Sequence, residues 1–257
     1  MVASLPAIDF TTRGSGHPVV LLHPLGADTR YWDFLDLPGR RLMAYNLPGH
    51  GGAAPAPAGY SIADLGDHLA EALASLDQGP VSLVGVSIGG LVAQRVAARH
   101  PELVDRIVLA DTVAVYPDGM RTNLGARGQL VLTDGLTAVL DGTYAMWYTQ
   151  DLIDRNDPLI ELTRSMILAG SPQGYSDACR ALVEVDFTGE ASAITAPTLV
   201  VCGRDDLPAF QEGCAWLADV IPGARLLWLE GGRHGAVLEC SAQFAAAIND
   251  FLPVSRG

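Results

Sequence analysis

Short unbroken apolar runs alternate along this chain with longer stretches in which apolar residues recur every three or four positions. The runs are "VVLL" (19–22), "LMAY" (42–45), "VSLVGV" (81–86), "IVLA" (107–110), "TLVVC" (198–202) and "RLLWL" (225–229). Continuous rather than alternating apolar character predicts strands covered on both faces, as in a mostly parallel sheet. Between them, "SIADLGDHLAEALASL" (61–76) has helical periodicity, with Ser61 placed as N-cap and Asp64 in the first turn. Residues 88–99 and "SAQFAAAINDFL" (241–252), which stops before Pro253, are predicted helices too. The expected class is α/β, a doubly wound sheet with helices on both faces.

The rhythm breaks between residues 116 and 190. No buried-strand pattern occurs there, and "GLTAVLDGTYAMWYTQDL" and "DPLIELTRSMILAG" read as amphipathic helices. "DRNDP" (154–158) reads as a solvated turn. The predicted organisation is one core, 1–115 with 191–257, into which a helical cap of 116–190 is inserted. No internal repeat or low-complexity linker interrupts it.

Composition narrows the function. The chain has 257 residues, 49% hydrophobic, ample for a single packed core. A net charge of −13, scattered along the chain, repels phosphate backbones, so no nucleic-acid partner is expected. All 16 basic residues are arginine, which excludes a P-loop lysine and a lysine Schiff base. Cys179, Cys202, Cys214 and Cys240 show no C-x-x-C spacing. They are expected as free thiols, with Cys202 a small core residue. "MVASLPAIDF" lacks a basic start and a long apolar stretch, and no run approaches the roughly 20 residues that span a bilayer. The expected setting is cytoplasmic, with no membrane partner.

The chemistry begins at "LVGVSIGGL" (83–91). A G-x-S-x-G sequence between a buried strand and a helix fits a nucleophile elbow, in which Ser87 occupies a strained turn and projects its hydroxyl from the sheet edge. Gly85 and Gly89 let backbone pass close by. The following helix aims its N-terminal amides at the same spot, so the Ile88 N–H would meet an oxyanion formed beside Ser87. A dinucleotide fingerprint is excluded, because it needs glycine where Ser87 stands.

A serine hydroxyl needs a base oriented by a carboxylate. Among six histidines, His17, His68 and His100 read as surface or packing residues, and His50 as a turn residue. His234, in "LEGGRHGAVLE", follows the last strand in a glycine-bounded loop and is the candidate base. The chain order Ser…Asp/Glu…His directs the search for the acid to positions between them. "VVCGRDDLP" supplies Asp206, the preferred candidate; Asp205 and Asp111, the latter at the end of "IVLAD", remain alternatives. The second oxyanion donor is assigned to Leu25 in "LLHPLGAD", with His23 supporting that loop. Neither a metal nor a cofactor is called for.

With these pieces in place the chain resembles the α/β-hydrolase fold family over essentially its whole length. "HPLGADTRYWD", "GVSIGGLVAQRVAARHPELVDRIVLADTVA", "GYSDACRALVEVDF" and "ITAPTLVVCGRDD" are similar to 3-oxoadipate enol-lactonases. That resemblance implies cofactor-free hydrolysis of a small enol-lactone through an acyl-enzyme. It also implies substrate contacts from a tryptophan–aromatic pair, Trp147 and Tyr148, and from a cap arginine, Arg127. The chain departs from the pattern at Leu124, where a tryptophan is expected, in the short "DLPAF" after the acid, and in "DGTYAM" before Trp147. These departures surround the pocket and bear on the substrate rather than on the triad. The competing expectations are hydrolysis of another ester, lactone or thioester, and a non-hydrolytic ligand-binding or ring-forming protein on the same scaffold.

Overall fold

The computed structural model describes residues 5–57 and 59–254. Its strands are β1 (Thr11–Gly14), β2 (His17–Leu22), β3 (Arg40–Tyr45), β4 (Val81–Val86), β5 (Val104–Ala110), β6 (Thr198–Gly203) and β7 (Arg225–Leu229). Its helices are α1 (Ile62–Ser75), α2 (Ile88–Arg99), α3 (Asp118–Asp134), α4 (Leu140–Trp147), α5 (Gln150–Asp154), α6 (Pro158–Leu168), α7 (Pro172–Glu184), α8 (Pro208–Val220), α9 (Ala236–Glu239) and α10 (Ser241–Phe251). The strands form one sheet in the order β1-β3-β2-β4-β5-β6-β7, parallel except for β1, which runs antiparallel to β3.

Strand alternation splits the interior into two layers. Val20, Leu22, Leu83, Ile107 and Val200 face α1, α2 and α8. Val19, Leu21, Val84, Val108 and Val201 face α10 and the buried pair Tyr31 and Trp32. Each fully buried Val or Leu contributes roughly 1.5–3 kcal/mol by leaving water. Because both faces are covered, the predicted strands are apolar throughout. The start of α1 is fixed by a capping box: Ser61 Oγ accepts from the Asp64 N–H (3.1 Å), and Asp64 Oδ2 accepts from the Ser61 N–H (2.8 Å).

Two features place the site. The chain runs from β2 outward to β3 and then returns to the other side of β2 as β4, so β2 and β4 are neighbours whose following loops diverge. Such a switch point at the carboxyl ends of parallel strands leaves a crevice. Helices α3 to α7 intervene between β5 and β6, and a third apolar cluster joins α3, α4, α6 and α7 through Val131, Leu140, Ile167 and Tyr175. The segment predicted as one helix over 135–152 breaks into a 3-10 turn (Leu136–Val139), α4 and α5. Among the described residues no helix is long and apolar enough to cross a membrane.

Candidate active site

Ser87 joins β4 to α2 with φ +53° and ψ −117°. That backbone is costly for a residue with a side chain, on the order of 1–3 kcal/mol, and persists only where neighbours enforce it. Here the Ser87 N–H donates to the Ala110 carbonyl (3.0 Å), while the Ser87 carbonyl accepts from Thr112 Oγ1 (2.8 Å) and the Leu91 N–H (3.2 Å). The flanking glycines are required by close approach: a Cβ on Gly85 would lie 2.7 Å from the Gly90 nitrogen, and one on Gly89 2.6 Å from the Leu22 carbonyl carbon.

His234 lies between β7 and α9, and Asp206 between β6 and α8. Asp206 Oδ2 accepts from His234 Nδ1–H at 3.0 Å, which leaves Nε2 to accept from the Ser87 hydroxyl at 3.3 Å. Asp206 Oδ1 accepts from the Leu207 N–H at 2.6 Å. All three side chains are buried. The Phe210 ring covers the imidazole, centroid to centroid 4.0 Å. The Gly235 N–H donates to the Trp147 carbonyl (2.8 Å), tying the histidine loop to the inserted helices. Of the three carboxylates left open by the sequence, Asp206 is the one that meets His234. Asp205 is exposed, and Asp111 is wholly buried at the end of β5.

Ile88 opens α2, so its N–H has no carbonyl one turn earlier to satisfy it. Leu25 lies in the loop after β2, at the rim of the same cavity. His23 anchors that loop: Nε2 accepts from the Leu47 N–H (2.9 Å) and Nδ1–H donates to the Pro24 carbonyl (2.9 Å). Burial, then the neighbouring His50, push its pKa down to about 3, so the ring is neutral. The folded protein refuses until about pH 3 a proton that the unfolded chain accepts near pH 6.5. Stability is therefore full above that window and falls as pH drops through it, by at most about 1.4 kcal/mol per pH unit. Urea midpoints taken between about pH 7 and pH 4 should decline; a flat series would show that His23 charges in place.

Above Ser87 and His234 opens a cavity of about 560 Å³, lined mainly by apolar side chains of α3, α4 and α7. Trp147 lines it, with its ring edge-on to Tyr31. Arg127 lines it too, but is already engaged: Nε donates to Tyr175 Oη (2.6 Å), and Nη2 to Thr143 Oγ1 and the Val139 carbonyl. Those partners are all neutral, so its charge is not cancelled by them. Tyr148 is not brought to the cavity. The helix ends at Trp147, and the extended backbone of Tyr148 (φ −124°, ψ 153°) sends its ring into the core, where its hydroxyl meets Thr163 Oγ1 (2.6 Å). This corrects the expectation that Trp147 and Tyr148 line the pocket as a pair.

Sequence reasoning also missed Phe210 over the imidazole, Tyr175 under Arg127, and most of α3. Asp111, Cys202 and Asp206 come together as well, each placing one side-chain atom within 4.8 Å of the others. All four cysteines are free and buried.

A hydroxyl, an imidazole and a carboxylate joined in this order beneath an apolar cavity can perform acyl transfer. The fold and this constellation define a class, and comparison with known proteins defines it independently. The profile of the alpha/beta hydrolase fold family matches residues 17–239, and the chain belongs to that family. A protein of Yersinia enterocolitica bearing the name carbamate hydrolase RutD is 30% identical over 246 residues, covering 93% of this chain and 88% of its own. The 3-oxoadipate enol-lactonase 2 of Acinetobacter baylyi is 30% identical over 165 residues, 64% of this chain and 61% of its own. Among solved structures, a hydrolase from Pseudomonas aeruginosa superposes with a TM-score of 0.88 at 27% identity, covering 95% of this chain and 93% of that one. The enol-lactonase from Burkholderia xenovorans superposes with a TM-score of 0.86 at 25% identity, covering 95% of each chain.

Proposed function

We propose that the protein is a serine hydrolase that opens a small enol-lactone through an acyl-enzyme. The observation carrying this reading is the Ser87–His234–Asp206 hydrogen-bond chain at the floor of a mainly apolar cavity. Ser87 Oγ attacks the lactone carbonyl while His234 Nε2 takes its proton, and Asp206 holds the imidazole and balances the imidazolium. The Leu25 and Ile88 amides stabilise the tetrahedral oxyanion, at about 3 kcal/mol per donor. Collapse breaks the ring C–O bond. The leaving enolate takes the proton from His234 and becomes the ketone, and water activated by the same histidine then releases the acid. The inserted helices serve as the cap over this reaction.

Arg127 and Trp147 are the substrate contacts in this reading, with the guanidinium meeting a carboxylate on the lactone. Arg127→Met should lower kcat/KM for a carboxylate-bearing lactone by about 10- to 100-fold, the worth of a charged hydrogen bond. A neutral ester should lose far less. Equal losses on both substrates would mean that Arg127 acts only as the clamp holding Tyr175 and Thr143.

A second reading, hydrolysis of a carbamate, is favoured by the longer span of the match to proteins of that name. The test is a panel comparing 3-oxoadipate enol-lactone, p-nitrophenyl esters, unrelated lactones and a simple carbamate. Fast turnover of the enol-lactone supports the proposal. Ester or carbamate turnover without it keeps the mechanism and discards the substrate.

A further inference from the structure

Asp111 takes no part in the chain just described, yet its placement is costly. Its backbone is left-handed (φ +44°) and its side chain is wholly buried. Its N–H donates to the Val201 carbonyl (2.9 Å), and Oδ1 accepts from the Gly203 N–H (2.8 Å), joining the end of β5 to the start of the loop that carries Asp206. The other oxygen, Oδ2, has no hydrogen-bond partner among the described residues. Cys202 and Asp206 each place a side-chain atom within 4.8 Å of one Asp111 oxygen, and Tyr31, Cys214 and Cys240 are further titratable groups that feel its charge. The Tyr31 hydroxyl is likewise buried, with no hydrogen-bond partner among the described residues.

One oxygen of each of these buried carboxyl groups lies within 4.8 Å of the other, so a charge on one disfavours a charge on its neighbour. The hydrogen bonds to the two groups differ. Asp206 receives two N–H donors, from His234 and Leu207; Asp111 receives one backbone N–H. That asymmetry favours Asp111 as the carboxyl that carries a proton. Burial, reinforced by the Asp206 charge, pushes the Asp111 carboxyl well above the ordinary carboxylate range.

We propose that Asp111 is a positioning residue with a reserve charge: a neutral acid that fixes the Asp206 loop, and the anion that supports His234 when Asp206 is neutralised. In an Asp206→Asn variant the pair loses its charge, and Asp111 releases its proton to solvent and restores one negative charge behind the imidazole. The inference rests on the Ser87–His234–Asp206 reading of the site.

The test is a double-mutant cycle on one p-nitrophenyl ester, with kcat/KM measured across pH for wild type, Asp111→Asn, Asp206→Asn and the double variant. The cost of Asp111→Asn should be at least about tenfold larger in the Asp206→Asn background than in wild type. The residual activity of Asp206→Asn should rise with pH, and that rise should vanish in the double variant. A residue that only braces the loop would cost the same in both backgrounds, and equal costs overturn the proposal. Infrared spectra of wild type with isotope-labelled aspartate give a readout independent of activity and of variant folding. A protonated aspartic carboxyl stretch at neutral pH, absent from Asp111→Asn, is expected; its absence from wild type overturns the proposal. Undiminished hydrolysis by Ser87→Ala would instead sink the underlying triad reading. An essential Ser87 with equal Asp111→Asn costs would sink this inference alone.

Discussion

Ser87→Ala should lower kcat on the enzyme's best ester or lactone by roughly ten-thousand- to a million-fold, leaving the fold intact. The size follows from what the hydroxyl does. Without Oγ the carbonyl has no nucleophile, His234 has no proton to take, and the remaining catalysis comes from the oxyanion donors and binding alone. The stability change should be small. Alanine inherits the φ of +53°, and the bonds to Ala110, Thr112 and Leu91 use backbone atoms of residue 87 that the substitution keeps. The side-chain bond to His234 is lost, worth about 0.5–1.5 kcal/mol. Steady-state kinetics, thermal unfolding and mass spectrometry of a trapped acyl-enzyme check this together. The acyl adduct should form on wild type and not on the variant. Retained turnover in Ser87→Ala would remove the nucleophile and favour a ring-forming or binding protein on the same scaffold.

What could be read from the sequence was the part in which chemistry restricts residue type. A serine between glycines after a buried strand, and a histidine in a glycine-bounded loop after the last one, are what acyl transfer at strand ends would demand. The structure brings both to one place. The preference for Asp206 over Asp111 and Asp205 rested on strand-end placement, and because each follows a strand it is three-dimensional direction that separates them. The proximity of Asp111 to Asp206 was hidden too, since nothing in the spacing of two loops far apart in the chain reveals it.

The inserted helices were legible only in part. Helix α3 carries several glycines, buries only Gly128 and Val131 fully, and turns Leu124, Arg127 and Leu130 toward the cavity. A helix between solvent and a cavity has no single apolar stripe, so periodicity does not announce it. Strand β1, "TTRG", is an edge strand with mostly exposed residues and offers no apolar run. Tyr148 shows a third limit: adjacency in sequence implied a shared pocket, but a helix terminus between two aromatic residues turned their rings apart.

Gly89→Ala should destabilise the protein by about 2 kcal/mol or more, although glycine-to-alanine changes in helices ordinarily stabilise. Two opposed effects meet here. Alanine gains up to about 1 kcal/mol over glycine in a helix interior, and less in the first turn, where Gly89 stands. Against this, the new Cβ would lie 2.6 Å from the Leu22 carbonyl carbon and closer still to its oxygen. Those are backbone atoms of a central strand, which cannot swing aside as a side-chain end can, and overpacking of this kind costs about 1–3 kcal/mol or more. The clash wins. Relief requires β2 and α2 to separate, and β2 leads directly into the loop of Leu25 while α2 begins with the Ile88 amide. A shift of about an ångström there can cost on the order of a hundredfold in rate, so kcat should fall with stability. Gly125→Ala provides the matched contrast. Gly125 lies within α3 with open space around the would-be Cβ, so the same change should stabilise by about 0.5–1 kcal/mol. Thermal unfolding of the two variants should move in opposite directions, by roughly 2–4 °C per kcal/mol. A Gly89→Ala protein as stable and active as wild type would show that the elbow relaxes, and that close approach to Leu22 is not what requires glycine there.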